Sequence, residues 1–251
     1  MNVVVNSLMT NYQKVGEGKK TLVFLPGWGD NSQSFSELIE NLPADYTSLI
    51  LDLPGFGGSQ AASEVWNLDN YSNFIKAWLQ KIQVKDVYAV VGHSNGGGIA
   101  IRAVALGLLK PGKLVLISSA GVRDRHKLKK SLLKAVSKSG KVITAPLPQN
   151  VKKGIRRKLY SGLGSDAGLF PQMEGTFRKI ISQDVQQDAK LVKIPTLLIY
   201  GAQDKSTPTL FGRIFHDQIK SSRLEIIEGA GHYVQQEQAE RVAELIEEFL
   251  K

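Results

Sequence analysis

Residues 87–109 read VYAVVGHSNGGGIAIRAVALGLL, and this stretch decides the fold. A short apolar run ends at a glycine and a helical pattern follows at once, which predicts a buried strand turning sharply into a helix. The turn, residues 92–96, has the form G-x-S-x-G in the strand-to-helix context that gives this motif its meaning. Such a turn strains the backbone and directs the serine oxygen into a cleft. Ser94 is therefore the candidate nucleophile, although a serine here could instead only cap the helix.

The rest of the chain continues the alternation of strands and helices. Further short apolar runs that predict buried strands are residues 21–25, 48–51, 113–117, 196–200 and 223–227, and residues 2–8 and 10–15 predict an antiparallel pair before them. Helical spacing places apolar side chains on one face twice, at Tyr71, Phe74, Ile75, Trp78, Leu79 and Ile82, and at Val242, Leu245, Ile246 and Phe249. The alternation predicts a parallel sheet with helices on both faces.

Composition excludes several classes of protein. The 251 residues include no cysteine and four histidines, so disulfides, thiolate nucleophiles and zinc fingers are excluded. No apolar run approaches the roughly 18 residues that span a bilayer, and the N-terminus lacks the pattern of a secretory signal. We therefore expect no transmembrane segment and a cytoplasmic location.

The positive charge is concentrated in one segment. Residues 122–190 carry 16 Lys/Arg and 5 Asp/Glu, a net charge of +11, whereas the remainder carries −2. The strand rhythm stops over the same range, which predicts a basic helical cap over the carboxyl edge of the sheet, where open α/β folds bind ligands. The predicted organisation is a core of residues 1–121 and 191–251 with a cap of residues 122–190.

A serine hydroxyl needs a base, and the base needs a partner that fixes its tautomer. His232 lies in the small-residue loop EGAGH after the last predicted strand, so its ring can reach back over the sheet edge. Asp204 follows the strand at residues 196–200 by one short turn and could accept the second ring N–H of His232. An ordinary turn aspartate is the alternative.

The other three histidines are interpreted as non-catalytic. His93 lies inside the turn and is predicted to point away from the cleft. His126 and His216 lie among charged or amphipathic residues and are predicted to be solvated.

Two backbone N–H groups are candidates for an oxyanion hole. The stretch LPGWGD, residues 25–30, follows directly after a predicted strand, and the N–H of Trp28 can pair with that of Asn95 at the helix N-terminus. The Trp28 side chain could also simply pack under the cap.

On these motifs the chain resembles the α/β-hydrolase superfamily, in its capped, single-domain, esterase-like branch. LPGWGD is similar to the oxyanion loop of the family and LDLPGFGGS to the turn after the next strand. GHSNGG is similar to its nucleophile elbow, LLIYGAQDKSTP to its acid loop and GAGH to its histidine loop. The resemblance implies an α/β-hydrolase fold with a helical cap inserted after the strand that follows the nucleophile helix. It also implies Ser94, Asp204 and His232 as the catalytic triad, with Trp28 and Asn95 as oxyanion donors.

Two departures from the family pattern are informative. Pro26-Gly27 stands where the oxyanion loop usually begins His-Gly, which removes a histidine side chain without touching the backbone donors. Ser94 stands where the similar haloalkane dehalogenases and epoxide hydrolases carry aspartate, so those reactions are disfavoured.

The expected function is hydrolysis of a small carboxylic ester or other acyl compound through an acyl-enzyme, without a cofactor. Lactone, thioester, C–C bond or peptide hydrolysis and perhydrolysis stay open, because they would use the same nucleophile and oxyanion hole. A non-catalytic protein that binds an anionic partner through the basic cap is the alternative from another class. No phosphate-binding loop or dinucleotide fingerprint is present, so no nucleotide cofactor is implied, and no metal is implied either.

The expected partner is a small-molecule acyl substrate. The lysines of the predicted cap, Lys127, Lys129, Lys130, Lys134 and Lys138, either form the solvated face of an amphipathic helix or steer an anionic substrate or an acidic carrier protein. Similar capped hydrolases include an esterase that cleaves a methyl ester bound to a carrier protein. Nucleic acid is disfavoured because few aromatic residues interrupt the basic runs.

Overall fold

The computed structural model describes residues 1–123 and 170–251. Within these ranges eight strands form one sheet in the order β1-β2-β4-β3-β5-β6-β7-β8. The strands are β1 (Asn2–Val5), β2 (Leu8–Val15), β3 (Lys20–Leu25), β4 (Tyr46–Leu51), β5 (Ala89–His93), β6 (Lys113–Ile117), β7 (Thr196–Gly201) and β8 (Ser222–Ile227). The helices are α1 (Ser36–Glu40), α2 (Leu68–Lys81), α3 (Asn95–Ala105), α4 (Glu174–Ser182), α5 (Gln186–Ala189), α6 (Thr209–Gln218), α7 (Val234–Glu237) and α8 (Ala239–Leu250), with short 3₁₀ turns at Ser32–Phe35 and Pro171–Met173.

The sheet is mostly parallel. β1 pairs antiparallel with β2, and β2 with β4, whereas every pair from β4 to β8 is parallel. The predicted α/β-hydrolase fold and the antiparallel pair at its start are therefore confirmed. β5 lies between β3 and β6, so the loops that follow these three strands meet at one edge of the sheet.

One predicted strand differs in its environment. Residues 223–227 were expected to be buried, but every residue of β8 is only half-buried. These residues form a strand as predicted, but β8 is the last strand of the sheet and has a neighbouring strand on one side only. A single sequence does not distinguish such an edge strand from a central one.

Side chains of the central strands alternate between two hydrophobic layers. In β3, Leu22 and Phe24 join the layer covered by α1 and α8, whereas Val23 and Leu25 join the layer covered by α2 and α3. This alternation follows from the two-residue period of a strand. Burial on both faces explains why the central strands read as continuous apolar runs.

The two predicted helical stripes lie in α2 and α8. Their apolar residues are buried except Ile82 and Phe249, which lie at or near the helix ends and are half-buried. α2 begins with a capping box between Asn67 and Asn70, each side chain accepting the backbone N–H of the other residue.

The described part of the predicted cap packs on the core. Arg102 on α3 makes ion pairs with Asp188 on α5 at 2.9 Å and with Asp69 on α2 at 3.1 Å. This half-buried network fixes the return of the chain to the sheet. Residues 124–169, which include His126 and the five lysines named above, lie outside the described residues. Among the described helices, none has the length and apolar character needed to cross a membrane.

Candidate active site

Ser94 lies at a sharp turn between β5 and α3. Its backbone has φ 50° and ψ −114°, a conformation that L-residues rarely adopt. The surrounding backbone holds it there, because the Ser94 N–H donates to the Ile117 carbonyl at 3.0 Å and the Ser94 carbonyl accepts from Gly97 at 3.1 Å. The strain predicted from the motif is therefore present.

Gly96 allows two segments of backbone to approach closely. A Cβ atom at this position would collide with the carbonyl oxygens of Leu25 and Pro26. The first turn of α3 consequently packs directly on the loop that follows β3. This close packing brings the N-terminus of α3 next to Trp28.

Three side chains form a continuous chain of hydrogen bonds. His232 Nε2 lies 3.1 Å from Ser94 Oγ, and His232 Nδ1 lies 2.8 Å from Asp204 Oδ2. Ser94 follows β5, Asp204 follows β7 and His232 follows β8, so three separate loops meet at the carboxyl edge of the sheet. When the imidazole proton is on Nδ1, this N–H donates to Asp204 and Nε2 is free to accept the serine proton.

The Asp204 side chain is fully buried and all its acceptor positions are used. Its Oδ1 accepts the backbone N–H groups of Ser206 at 2.8 Å and Thr207 at 2.9 Å. Its Oδ2 accepts from His232 and from the Thr207 hydroxyl, which lies 2.6 Å away. Burial alone would raise the pKa of Asp204, but the hydrogen bonds from His232 and Thr207 hold the pKa below its usual value. Asp204 is therefore ionised at neutral pH.

Thr207 lies between this carboxylate and the sheet. Its Oγ1 also lies 2.9 Å from the carbonyl of Ser118, at the end of β6, and 3.2 Å from His232 Nδ1. Our sequence reasoning missed this residue. The available signal, an Asp in a turn, predicts a bond to the backbone N–H two residues on, here Ser206, but not one from the Thr207 hydroxyl.

His93 is buried beside His232. Its Nε2 lies 3.0 Å from the His232 carbonyl oxygen, and the two rings are 4.9 Å apart. Burial lowers the pKa of His93 to about 3, and the neighbouring His232 adds to this effect. His93 is one of the residues that line the cavity, while its ring is buried and its Nε2 is directed at the His232 carbonyl oxygen. His216 is exposed as predicted.

Two backbone N–H groups of residues that line the cavity remain available as donors. Within the described ranges, neither the Trp28 N–H nor the Asn95 N–H has an acceptor, and both residues line the same cavity as Ser94. The Trp28 side chain is half-buried between Phe56 and Phe177, with ring centroids 4.7 and 5.0 Å away. These contacts with the rings of Phe56 and Phe177 fix the loop that carries the Trp28 N–H.

The cavity has a volume of about 190 Å³. Its wall combines the polar groups above with apolar side chains from Phe177, Ile180, Ile181 and Phe211. Asp30, on the β3 side, accepts the Asn31 N–H at 2.9 Å, and burial raises its pKa. Arg123 lines the opposite side, after β6. We predicted roles for neither Asp30 nor Arg123.

The structure thus brings together all five residues predicted to form the site. Ser94, His232, Trp28 and Asn95 line the cavity, and Asp204 lies behind His232.

A family model described as the alpha/beta hydrolase family matches residues 22–245. The chain belongs to this family. This hydrolase is 28% identical over 98% of its length to the uncharacterized hydrolase YugF of Bacillus subtilis, of which it covers 95%. It is 25% identical over 92% of its length to a pimeloyl-[acyl-carrier protein] methyl ester esterase of Neisseria meningitidis, of which it covers 94%. Among solved structures, the esterase EaEST from Exiguobacterium antarcticum has the same fold, with a TM-score of 0.75, 20% identity and coverage of 99% and 98% of the two chains.

Proposed function

We propose that this hydrolase cleaves carboxylic esters, with Ser94 as nucleophile, His232 as general base and Asp204 as the residue that orients His232. The proposal rests above all on the unbroken chain of hydrogen bonds from Ser94 Oγ through the imidazole to a fully satisfied carboxylate. Such a chain supplies both requirements of an activated serine, a base within reach and a fixed tautomer of that base.

In the acylation step, Ser94 Oγ attacks the ester carbonyl carbon while its proton moves to His232 Nε2. Negative charge develops on the carbonyl oxygen, and the N–H groups of Trp28 and Asn95 stabilise it. In comparable enzymes, loss of one such donor costs about 3 kcal/mol of transition-state stabilisation. The C–O bond to the alcohol then breaks, and His232 gives its proton to the departing alkoxide.

In the deacylation step, a water molecule replaces the alcohol. His232 Nε2 takes one proton from the water, and the resulting hydroxide attacks the acyl carbon. The second tetrahedral intermediate collapses by breaking the bond to Ser94 Oγ, which regains the proton from His232. The products are a carboxylic acid and the free enzyme, and Asp204 stabilises the imidazolium in both steps without taking its proton.

The division into core and cap is part of the same proposal. We assign residues 122–190 to a cap over Ser94. Phe177, Ile180 and Ile181 from this range line the cavity, which supports the assignment. A cap that supplies the apolar wall would determine which acyl groups fit. The net charge of +11 in this range, together with a relative named as an esterase for an acyl-carrier-protein ester, supports an acidic carrier as a partner.

The first experiment is intact-mass analysis after treatment with a small fluorophosphonate. We expect one covalent adduct on the wild-type protein and none on Ser94→Ala. Ser206→Ala is the matched control, because Ser206 also lines the cavity while its bond to Asp204 uses the backbone N–H. This variant should keep the adduct.

A panel of methyl, aryl, thio- and cyclic esters then distinguishes ester hydrolysis from thioester and lactone hydrolysis. Absence of an adduct on folded wild-type protein, or ester turnover that survives in Ser94→Ala, would overturn the proposal. The non-catalytic binding protein would then be the better interpretation.

A further inference from the structure

Arg123 is a positively charged residue in the wall of the catalytic cavity. It follows β6 and lies on the opposite side of Ser94 from the oxyanion loop, since β6 and β3 flank β5. Two bonds fix its position: the backbone N–H donates to Asp184 Oδ2 at 2.9 Å, and the side-chain Nε donates to the Gln183 carbonyl at 3.1 Å. The guanidinium is thus attached to the described part of the cap at one end only.

The other end of the guanidinium has no partner among the described residues. Neither of its Nη atoms makes a hydrogen bond there, and no described carboxylate oxygen lies within the 4.0 Å of an ion pair with it. Asp184 already accepts the N–H of Arg123, the N–H of Gln186 and the Gln186 side-chain amide. Its carboxylate therefore acts mainly as an acceptor for the loop.

A half-buried charge is costly where it is not paired, and arginine stays protonated at any pH the enzyme meets. Among the described residues, Asp184 is near Arg123 but forms no ion pair with its guanidinium. Partial burial lowers the pKa of Arg123, with Asp184 acting in the opposite direction. Structural arginines of this chain are arranged differently: Arg102, equally half-buried, makes ion pairs with two carboxylates. Arg123 lines the cavity and its Nη atoms have no partner among the described residues, so its guanidinium has paired N–H donors available for an anion there.

We propose that Arg123 binds a carboxylate carried by the substrate, so that the preferred esters are anionic at one end. This inference rests on the proposed function and narrows its substrate class. Asp30, the acidic residue among the described residues of the wall, lies on the β3 side, where it would repel a carboxylate bound in the reverse direction. The apolar wall of Phe177, Ile180 and Ile181 would contact the chain between the ester and the carboxylate.

The test compares matched esters. Monomethyl glutarate carries a terminal carboxylate, and methyl glutaramate is the neutral amide of the same shape. We expect the wild-type kcat/KM to be at least about 10-fold higher for the carboxylate, the usual effect of a hydrogen bond to a charged group. A second pair, acetoxyacetate and acetoxyacetamide, places the charge on the alcohol side and determines which side of the ester faces Arg123.

Arg123→Gln should remove the preference, lowering kcat/KM for the carboxylate ester roughly 10- to 100-fold and for the amide less than about 3-fold. Lys179→Gln is the matched control. It removes the same charge from the same part of the chain, but Lys179 is exposed and does not line the cavity, so the preference should persist. Equal losses for both esters in Arg123→Gln would indicate a structural role and overturn the inference.

A binding measurement separates this inference from the proposed function. Calorimetry with Ser94→Ala should give at least about 10-fold tighter binding of monomethyl glutarate than of methyl glutaramate, and the double variant with Arg123→Gln should bind both equally. If Ser94→Ala binds monomethyl glutarate and methyl glutaramate equally, the inference is overturned even if the wild-type enzyme hydrolyses neutral esters. Selective binding supports it even if no ester is turned over and no fluorophosphonate adduct forms, in which case only the catalytic proposal fails.

Discussion

The imidazole of His93 supports the backbone of His232: its Nε2 lies 3.0 Å from the His232 carbonyl oxygen, with the two rings 4.9 Å apart. A carbonyl only accepts, so Nε2 must carry the proton and Nδ1 is the unprotonated nitrogen. Nδ1 is buried and has no partner among the described residues. Protonation of Nδ1 would therefore place an unpaired charge beside the proposed general base.

This arrangement predicts acid destabilisation that begins near pH 6.5. The pKa of His93 is about 3 in the folded protein, against an ordinary value of 6.5, so the unfolded chain binds the extra proton between these values. The free energy of unfolding is therefore unaffected by His93 above pH 6.5, and it falls by up to about 1.4 kcal/mol per pH unit below pH 6.5 as the unfolded chain takes up the proton. Urea unfolding at pH 7, 6 and 5 measures the slope.

His93→Gln should show a smaller slope, whereas exposed His216→Gln should keep the wild-type slope. Both variants keep Asp30 and Asp188, whose raised pKa values change stability with pH in the opposite direction, so their effect drops out when the two slopes are compared. The lowered pKa of Asp204 affects stability only below about pH 3.8. An unchanged slope in His93→Gln would contradict the assignment.

Thr207 provides a second prediction, because its hydroxyl donates to Asp204 Oδ2 at 2.6 Å. Thr207→Val keeps the shape and the backbone N–H but removes one hydrogen bond to a charged group, which raises the pKa of Asp204. We expect kcat/KM for an ester to fall roughly 10- to 100-fold. Thr207→Ser restores the hydroxyl and should recover most of the activity. Equal activities for the two variants would show that the hydroxyl is dispensable.

The close approach at Gly96 predicts a large loss of stability. In Gly96→Ala the new methyl group would meet the carbonyl oxygens of Leu25 and Pro26, which cannot move without shifting β3 and its loop. We expect unfolding free energy to fall by about 3 kcal/mol or more. Gly98→Ala is the control in the same helix, since its nearest contact is the Ala120 carbonyl at 3.2 Å. Its gain in helix propensity of about 1 kcal/mol should largely offset that contact. Similar unfolding midpoints for the two variants would refute the explanation.

The strained backbone at Ser94 predicts a trade-off between stability and activity. A non-glycine residue in such a conformation costs about 1–3 kcal/mol, and glycine relieves this at an entropic cost of about 0.4–1 kcal/mol. Ser94→Gly should therefore be about 1 kcal/mol more stable than Ser94→Ala, with both inactive. Chemical denaturation of the two variants measures the difference. A more stable alanine variant would mean that the turn is not strained.

Much of the fold could be predicted because the central strands are buried on both faces. β3, β5, β6 and β7 each appear in the sequence as a short, mostly apolar run, and the motifs after them fix the order of the site residues. Edge position has no such signal, which is why β8 was expected to be buried. The boundaries moved by at most two residues for the six predicted core strands, since hydrogen bonding, not apolarity, decides where a strand ends.

The supporting residues of the site could not be predicted in the same way. Ser94, Asp204 and His232 occupy recognisable loops, whereas His93 and Arg123 acquire their roles from what the fold places beside them. His93 contacts a loop 139 positions away in the chain, and Arg123 is held by the Gln183 carbonyl 60 positions away. Local patterns contain no information about such pairs.

The adjacency of β6 and β7 has a consequence for how this enzyme could change. The chain leaves the sheet at Ile117, the carboxyl end of β6, and returns at Thr196, the amino end of β7, and the parallel pairing of the two strands fixes the distance between these points. Loop-closure entropy grows only slowly with length, so a longer, shorter or different segment can be accommodated there at small cost. If the proposed cap determines selectivity, grafting that segment from a relative would change the preferred substrate while Ser94, Asp204 and His232 stay in place, which makes this junction a natural point for engineering.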